Sequence, residues 1–395
     1  MARGGRGGMR VAAGGCWPSP LQEELLRAAL LPGEAAVKAW EHWSAAVDLD
    51  ELGLDLGSYR LLPLLYRNLS ACGVTGGPLE RLKGIYRLTW SKNHLLLRRI
   101  APVLRALREA GIQPLVLKGA ALAALAYRDV GARPMDDVDL LVRDQELPAA
   151  LDVLREAGWH PVLDDPPEQR LVHQHSLAFI DNGGHADIDL HAHALWYTCW
   201  PGADDGFFAA AIPLALGEEP VLALCPADQL LHVCTHGIVW NPLPPIRWVA
   251  DAMAVIRGAE ETLDWERLSR QVERLGLALP VREALRYLAE RFEAPIPAGV
   301  LTRLEALPVT RLARLEYWLK LRPKTLPRAY VLAWFRYTRR TGPPRWGRWL
   351  RDLPSFLQSY WRLSSPRQVP GHALAKLMRR VARVRGAVSR GRVLY

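Results

Sequence analysis

The chain has 395 residues, half of them apolar and 23% charged, a balance that suits a folded protein with more than one core and excludes a low-complexity polymer. Its five cysteines are scattered and odd in number, which excludes a disulfide framework or zinc ribbon and fits the reduced thiols of a cytoplasmic protein. The net charge of +10 is uneven, because residues 321–395 carry 18 Lys+Arg against one acid, Asp352, and the rest is acidic overall.

The opening "MARGGRGGMR" is basic and glycine-rich without the apolar centre of a signal peptide, so residues 1–17 are expected to form a disordered leader. From 18 to 100 the apolar residues recur at spacings of three and four, as in "LQEELLRAALL" and "PLERLKGIYRLTWSKNHLLLRRI", which predicts a helical region. The texture changes over 101–216. A helix stops at Gly111, and "PLVLK" follows as a buried strand, "GAALAALAYRD" as a helix and "DDVDLLVR" as a second strand. "ELPAALDVLREAGW" returns to helix, and "HQHSLAFI" and "HADIDLHAHAL" read as two strands joined through the turn "DNGG". The fold class predicted is α+β, with a small mixed sheet flanked by N- and C-terminal helical regions. Helices resume over 217–320, for example "PADQLLHVCTHGIVW" and "IRWVADAMAVIRG".

The tail, 321–395, interleaves Trp334, Trp346, Trp349 and Trp361 with arginines. Its last helix-like piece puts Leu374, Leu377, Met378, Val381 and Val384 on one face. This pattern suits a polyanion or membrane-surface contact, or docking on the acidic body. No apolar stretch reaches the roughly 18 residues that a spanning helix needs.

The densest chemistry lies in "RPMDDVDLLV", Arg133 to Val142. On a strand, Asp137 and Asp139 share one face and Asp136 takes the other, leaving two carboxylates about 7 Å apart along the backbone. In "HADIDLHAH", Asp187, Asp189, His191 and His193 share a face in the same way. If the two strands are neighbours, their acids form the cluster that two-metal phosphoryl or nucleotidyl transfer requires. Upstream, Gly119 sits between strand and helix, where backbone can approach phosphate, and Lys118 and Arg133 are the cations best placed to meet phosphate oxygens. His232 and His236, at i and i+4, read as a structural or pocket-wall pair, and Arg247 with Asp251 as an intrahelical ion pair.

Together, "LVLKGAALAALAYRDVGARPMDDVDLLV", "AALDVLREAGW" and "IDLHAHALW" resemble a bacterial family of uncharacterised nucleotidyltransferases, a branch of the polymerase-β-like superfamily. The resemblance runs over roughly 20–320. It implies that Asp137 and Asp139 bind metal, that Asp189 is the third carboxylate and helps activate the acceptor, and that two Mg²⁺ ions (or Mn²⁺) serve the site. It implies an NTP as donor of a nucleoside monophosphate, and leaves the acceptor open among a small molecule, a peptide and an RNA end. Two departures stand out: Lys118-Gly119 replaces the superfamily's Gly-Ser, and Ala192 follows His191 where an aromatic is expected. Whether His191 touches metal, acceptor or only the core is undecided at this level. Phosphoryl transfer on the same fold and a non-catalytic binding module are the alternatives.

Overall fold

The computed structural model describes residues 14–47, 54–163, 171, 174–184, 187–242, 244–323, 325–339, 347, 351, 353–361, 363–376 and 378. Five helices come first: α1 (Pro20–Leu30), α2 (Gly33–Ala46), α3 (Leu56–Tyr59), α4 (Leu62–Ala71) and α5 (Gly77–Glu109). Ser19 starts α1 through a reciprocal capping box with Gln22, and a proline at the first turn opens α4 and α5. The 33-residue α5 buries Leu96, Ile100, Val103 and Leu107, the apolar ridge that the i, i+3, i+4 spacing foretold.

The core follows as β1 (Leu115–Leu117), α6 (Lys118–Leu125), β2 (Asp137–Leu141), α7 (Leu147–Glu156), β3 (Trp159–Pro161), β4 (Ser176–Asp181), β5 (Asp187–His191), α8 (Asp205–Ala209), β6 (Ile212–Leu216) and β7 (Glu219–Ala223). The strands build one mixed sheet in the order β3-β4-β5-β2-β1-β7-β6. β4 and β5 form the expected antiparallel hairpin. β2 runs parallel to β5 and antiparallel to β1. Three strands escaped the sequence reading. β3 has only three residues, while β6 and β7 each carry a proline, and β7 falls inside the stretch 217–320 expected to be helical.

The helices that follow are α9 (Pro226–Gly237), α10 (Arg247–Gly258), α11 (Trp265–Leu275), α12 (Ala278–Phe292), α13 (Ala298–Ala306), α14 (Arg311–Lys320), α15 (Leu326–Arg339) and α16 (Leu353–Tyr360). Strand alternation divides the core between two layers. Val116, Val138, Leu140, Ile188 and Leu190 face α5 and α7, whereas Leu115, Leu117 and Leu141 join the larger cluster built by the helical regions. The acids of β2 and β5 are on that second face.

Of the leader expected over 1–17, residues 1–13 lie outside the described residues. Gly15 exchanges main-chain hydrogen bonds with Asn241 and Cys16 is buried, so this end of the segment is packed. In the tail, α15 packs against the segment Trp196–Thr198 with Phe335 and Arg336 buried, and the Arg336 guanidinium lies over the Trp196 ring. Leu377, Val381, Val384, Trp346 and Trp349 lie outside the described residues. Among the described residues no helix is long and apolar enough to cross a membrane.

Candidate active site

β2 and β5 pair in register, so that Asp137 stands beside Asp187, Asp139 beside Asp189 and Leu141 beside His191. Parallel pairing with period-two alternation therefore delivers Asp139 and Asp189 to one spot on the same face. His191, two residues beyond Asp189, turns its Nε2 to both acids, 3.0 Å from Asp139 Oδ1 and 3.1 Å from Asp189 Oδ2. The ligand atoms of Asp139, Asp189 and His191 lie within 4.8 Å of one another. Asp137 occupies the exposed first position of β2, on the same face by alternation. Asp136 turns away and pairs with Arg60.

Lys118 arrives from the opposite side. β1 ends with Leu117 directly across from Asp139, and the next residue carries its ammonium to 2.5 Å from Asp139 Oδ1. Its backbone is left-handed (φ 43°), a strained conformation for a side chain with a Cβ. Ser176 Oγ on β4 donates to Asp189 Oδ2 at 3.1 Å. The side chains of Asp139 and His191 are almost wholly buried, whereas Lys118 and Asp189 are about one-fifth exposed, so the cluster opens towards those two.

The charges are balanced locally. Burial pushes the Asp139 carboxyl up, but the Lys118 ammonium and the His191 ring outweigh it and hold Asp139 well below the carboxylate range. Asp189 follows the same pattern, raised by burial and brought below its ordinary value by His191. Asp137 moves the other way, raised by desolvation and by Asp139. His191 is pushed down by burial and by Lys118, yet its bonds to the two acids prevail and raise it.

The His191 tautomer is informative. Its Nδ1 lies 3.3 Å from the His193 carbonyl oxygen, an acceptor only, so Nδ1 carries the hydrogen. Nε2 then meets the two carboxylates either as an imidazolium donor or as a lone pair shared with a cation. A ring donating one nitrogen to a backbone carbonyl and offering the other beside carboxylates is the usual arrangement of a metal-binding histidine. The two carboxylates offer oxygen donors that suit a hard divalent ion, and this imidazole adds one nitrogen beside them.

A cavity of about 270 Å³ adjoins the cluster through Lys118 and is lined by Arg60, Arg133, Arg247, His232 and His236, with Asp251 as its carboxylate. Arg133 is buried and locked to Asp251 by two hydrogen bonds of 2.8 and 2.9 Å, and the Tyr127 hydroxyl adds a third to the same carboxylate. This corrects the expected Arg247–Asp251 pair: Arg247 Nη1 donates to the Pro134 carbonyl instead, because the loop before β2 brings Arg133 onto the inner face of α10. Burial and the neighbouring Arg133 bring Arg247 down to about 10. A side chain at Gly119 would meet Arg133 Nη1 at 3.0 Å, so this glycine makes room for the guanidinium. His232 and His236 stack with ring centroids 6.0 Å apart, His232 buried and His236 exposed at the cavity. His232 is held well below its ordinary range, first by burial and then by Lys118. Both line the cavity, the role expected of them. A larger cavity of about 440 Å³ contains none of the carboxylates of the cluster. Its Arg67, Arg128 and Arg257 each donate to a main-chain carbonyl.

The family model for uncharacterised nucleotidyltransferases matches residues 56–293. The chain belongs to that family. For this nucleotidyltransferase the match runs from α3 to the end of α12, taking in the sheet, the cluster and the cavity. No curated protein matches the chain. Sequence reasoning singled out Asp137, Asp139, Asp189, Lys118, Gly119 and Arg133; the structure brings Asp139, Asp189 and Lys118 together, leaves Asp137 at the exposed start of β2, and places Arg133 in the cavity wall beside Gly119. It left His191 undecided, although same-face parity with Asp189 was the available signal. Arg60 and Ser176 gave no signal, since their contacts cross 76 and 13 residues of chain.

Proposed function

We propose that this nucleotidyltransferase moves a nucleoside monophosphate from an NTP to a hydroxyl acceptor with Mg²⁺ held by Asp137, Asp139 and Asp189 and joined by His191. The observation that carries this reading is the convergence of Asp139, Asp189 and His191 on two in-register parallel strands. When bound, the divalent ion supplies charge neutralisation at the triphosphate and lowers the pKa of the attacking oxygen's proton. The protein's own groups do the rest. Lys118, Arg60 and Arg247 line the cavity where a polyphosphate finds cations, and Arg133, neutralised by Asp251, shapes its wall. Asp189, the more open of the paired acids, receives the acceptor's proton as the acceptor oxygen bonds to the α-phosphorus. The bond from that phosphorus to the α–β bridging oxygen breaks, and pyrophosphate leaves. Ser176 holds the Asp189 carboxylate in place through this change.

The test is label position. The protein is incubated with α- or γ-labelled NTP, Mg²⁺ and a cell extract. The α-label is expected in the acceptor, pyrophosphate in solution, and neither with Asp139→Asn. Transfer of the γ-label would assign phosphoryl transfer. NTP binding without any transfer would assign a binding module.

A further inference from the structure

Helix α5 carries an uninterrupted positive charge. Between Glu80 and Glu109 it has eight Lys/Arg residues and no acid. Its C-terminal Arg105 and Arg108 are committed to Glu219 of β7, and Lys83 to Glu80. The middle is different. Arg87, Trp90, His94 and Arg98 are exposed and follow one another at spacings of three and four, which sets them in a line along one edge of the helix. At 1.5 Å per residue this line is roughly 17 Å long. Trp90 is 48% exposed although it is among the largest apolar side chains, and the His94 ring lies 4.2 Å from its centroid. Among the described residues no ion pair engages Arg87, Lys92 or Arg98.

The adjoining edge of α5 holds the loop that leads into the catalytic strand. Asn93 Nδ2 donates to the carbonyls of Val130 and Arg133, its Oδ1 accepts from Met135 N, and the Tyr86 hydroxyl donates to Asp129. Trp90 lies between Tyr86 and Asn93 in sequence and is a near neighbour of both on the helix surface. The Tyr86 and Asn93 contacts fix this stretch of α5, and with it the line of exposed residues, against the 129–135 loop.

We propose that this edge of α5 binds single-stranded RNA, a surface that does not depend on the transferase reading. Cations spaced along a line suit successive phosphates, and an exposed tryptophan–histidine pair is a stacking platform for bases, which RNA presents unpaired at loops and ends. A lipid surface would call for a broad apolar face, and the exposed apolar residues here are Leu88, Trp90 and Leu95 among cations.

The experiment measures fluorescence anisotropy of a labelled 12-nucleotide single-stranded RNA without NTP or metal, across a salt series. Wild-type protein is expected to bind, with an affinity that falls as salt rises. Arg87→Gln/Arg98→Gln should reduce the slope of log affinity against log salt by about 1.4, near 0.7 for each phosphate left without its cation. Trp90→Ala should weaken binding roughly 5- to 100-fold. Asp139→Asn should bind RNA as wild type does while losing transfer, so failure of the transferase reading and failure of this surface give different results. All three substituted positions on α5 are exposed, and matching melting curves would confirm folding. Absence of RNA binding at low salt overturns the proposal. So does an unchanged slope in the double variant, which would move the contact to the tail. Retention by anionic phospholipid vesicles in place of RNA would assign a membrane surface and overturn it too.

Discussion

Removing the Asp251 carboxylate tests whether the cavity wall is held as described. The side chains of Arg133 and Asp251 are 5% and 8% exposed, and two short hydrogen bonds join them, so Asp251→Ala leaves a buried guanidinium without its counter-charge. Breaking a buried pair from one side costs about 3–5 kcal/mol. The Tyr127 hydroxyl is deprived of its acceptor as well, which places the cost towards the upper end of that range. Such a cost is a large share of a typical folding free energy of about 5–15 kcal/mol and lowers Tm by on the order of 10 °C. Urea and thermal unfolding measure it. The paired variant Arg133→Met/Asp251→Leu should regain most of the stability, because replacing both buried charges with apolar groups is close to neutral. If Asp251→Ala unfolds within about 1 kcal/mol of wild type, Asp251 is not what neutralises Arg133, and the account of this wall is wrong.

Asp139→Asn should reduce transfer by at least roughly a thousandfold, and chelation of divalent ions should abolish it in the wild type; both are read as labelled product. The Asp251 carboxyl is raised by burial but held below the carboxylate range by Arg133, so it binds fewer protons folded than unfolded at low pH. Its contribution to stability is therefore full above about pH 4 and is lost as pH falls through the depressed folded value. Urea unfolding from pH 6 to pH 2 should show this decline in the wild type, and a shallower one in Asp251→Asn. Gly237→Ala drives a Cβ to within 2.3 Å of the Trp248 ring where α9 meets α10, and should cost about 1–3 kcal/mol in the same assay.

The sheet's centre was legible because β1, β2, β4 and β5 are apolar runs bounded by turn residues, and because the Asp-x-Asp pattern repeats with the same parity on β2 and β5. Parity could say which acids share a face. It could not say that the strands are neighbours, or that Asp139 lies beside Asp189, since register is settled between segments 50 residues apart. Arg133 shows the limit most plainly. Its neighbours in sequence suggested a phosphate contact, and only the packing of α10 against the loop before β2 reveals a partner 118 residues away. The intrahelical Arg247–Asp251 pair was a sound local default, overruled by tertiary contacts that no local spacing encodes.

The in-register pairing of β2 with β5 also sets when during synthesis the centre can exist. Neither strand alone brings Asp139, Asp189 and His191 within coordinating distance, and a slip of one residue would turn one strand's acids to the opposite face. A growing chain that has made Asp139 but not His191 thus lacks the assembled cluster, which forms only once the second strand has docked.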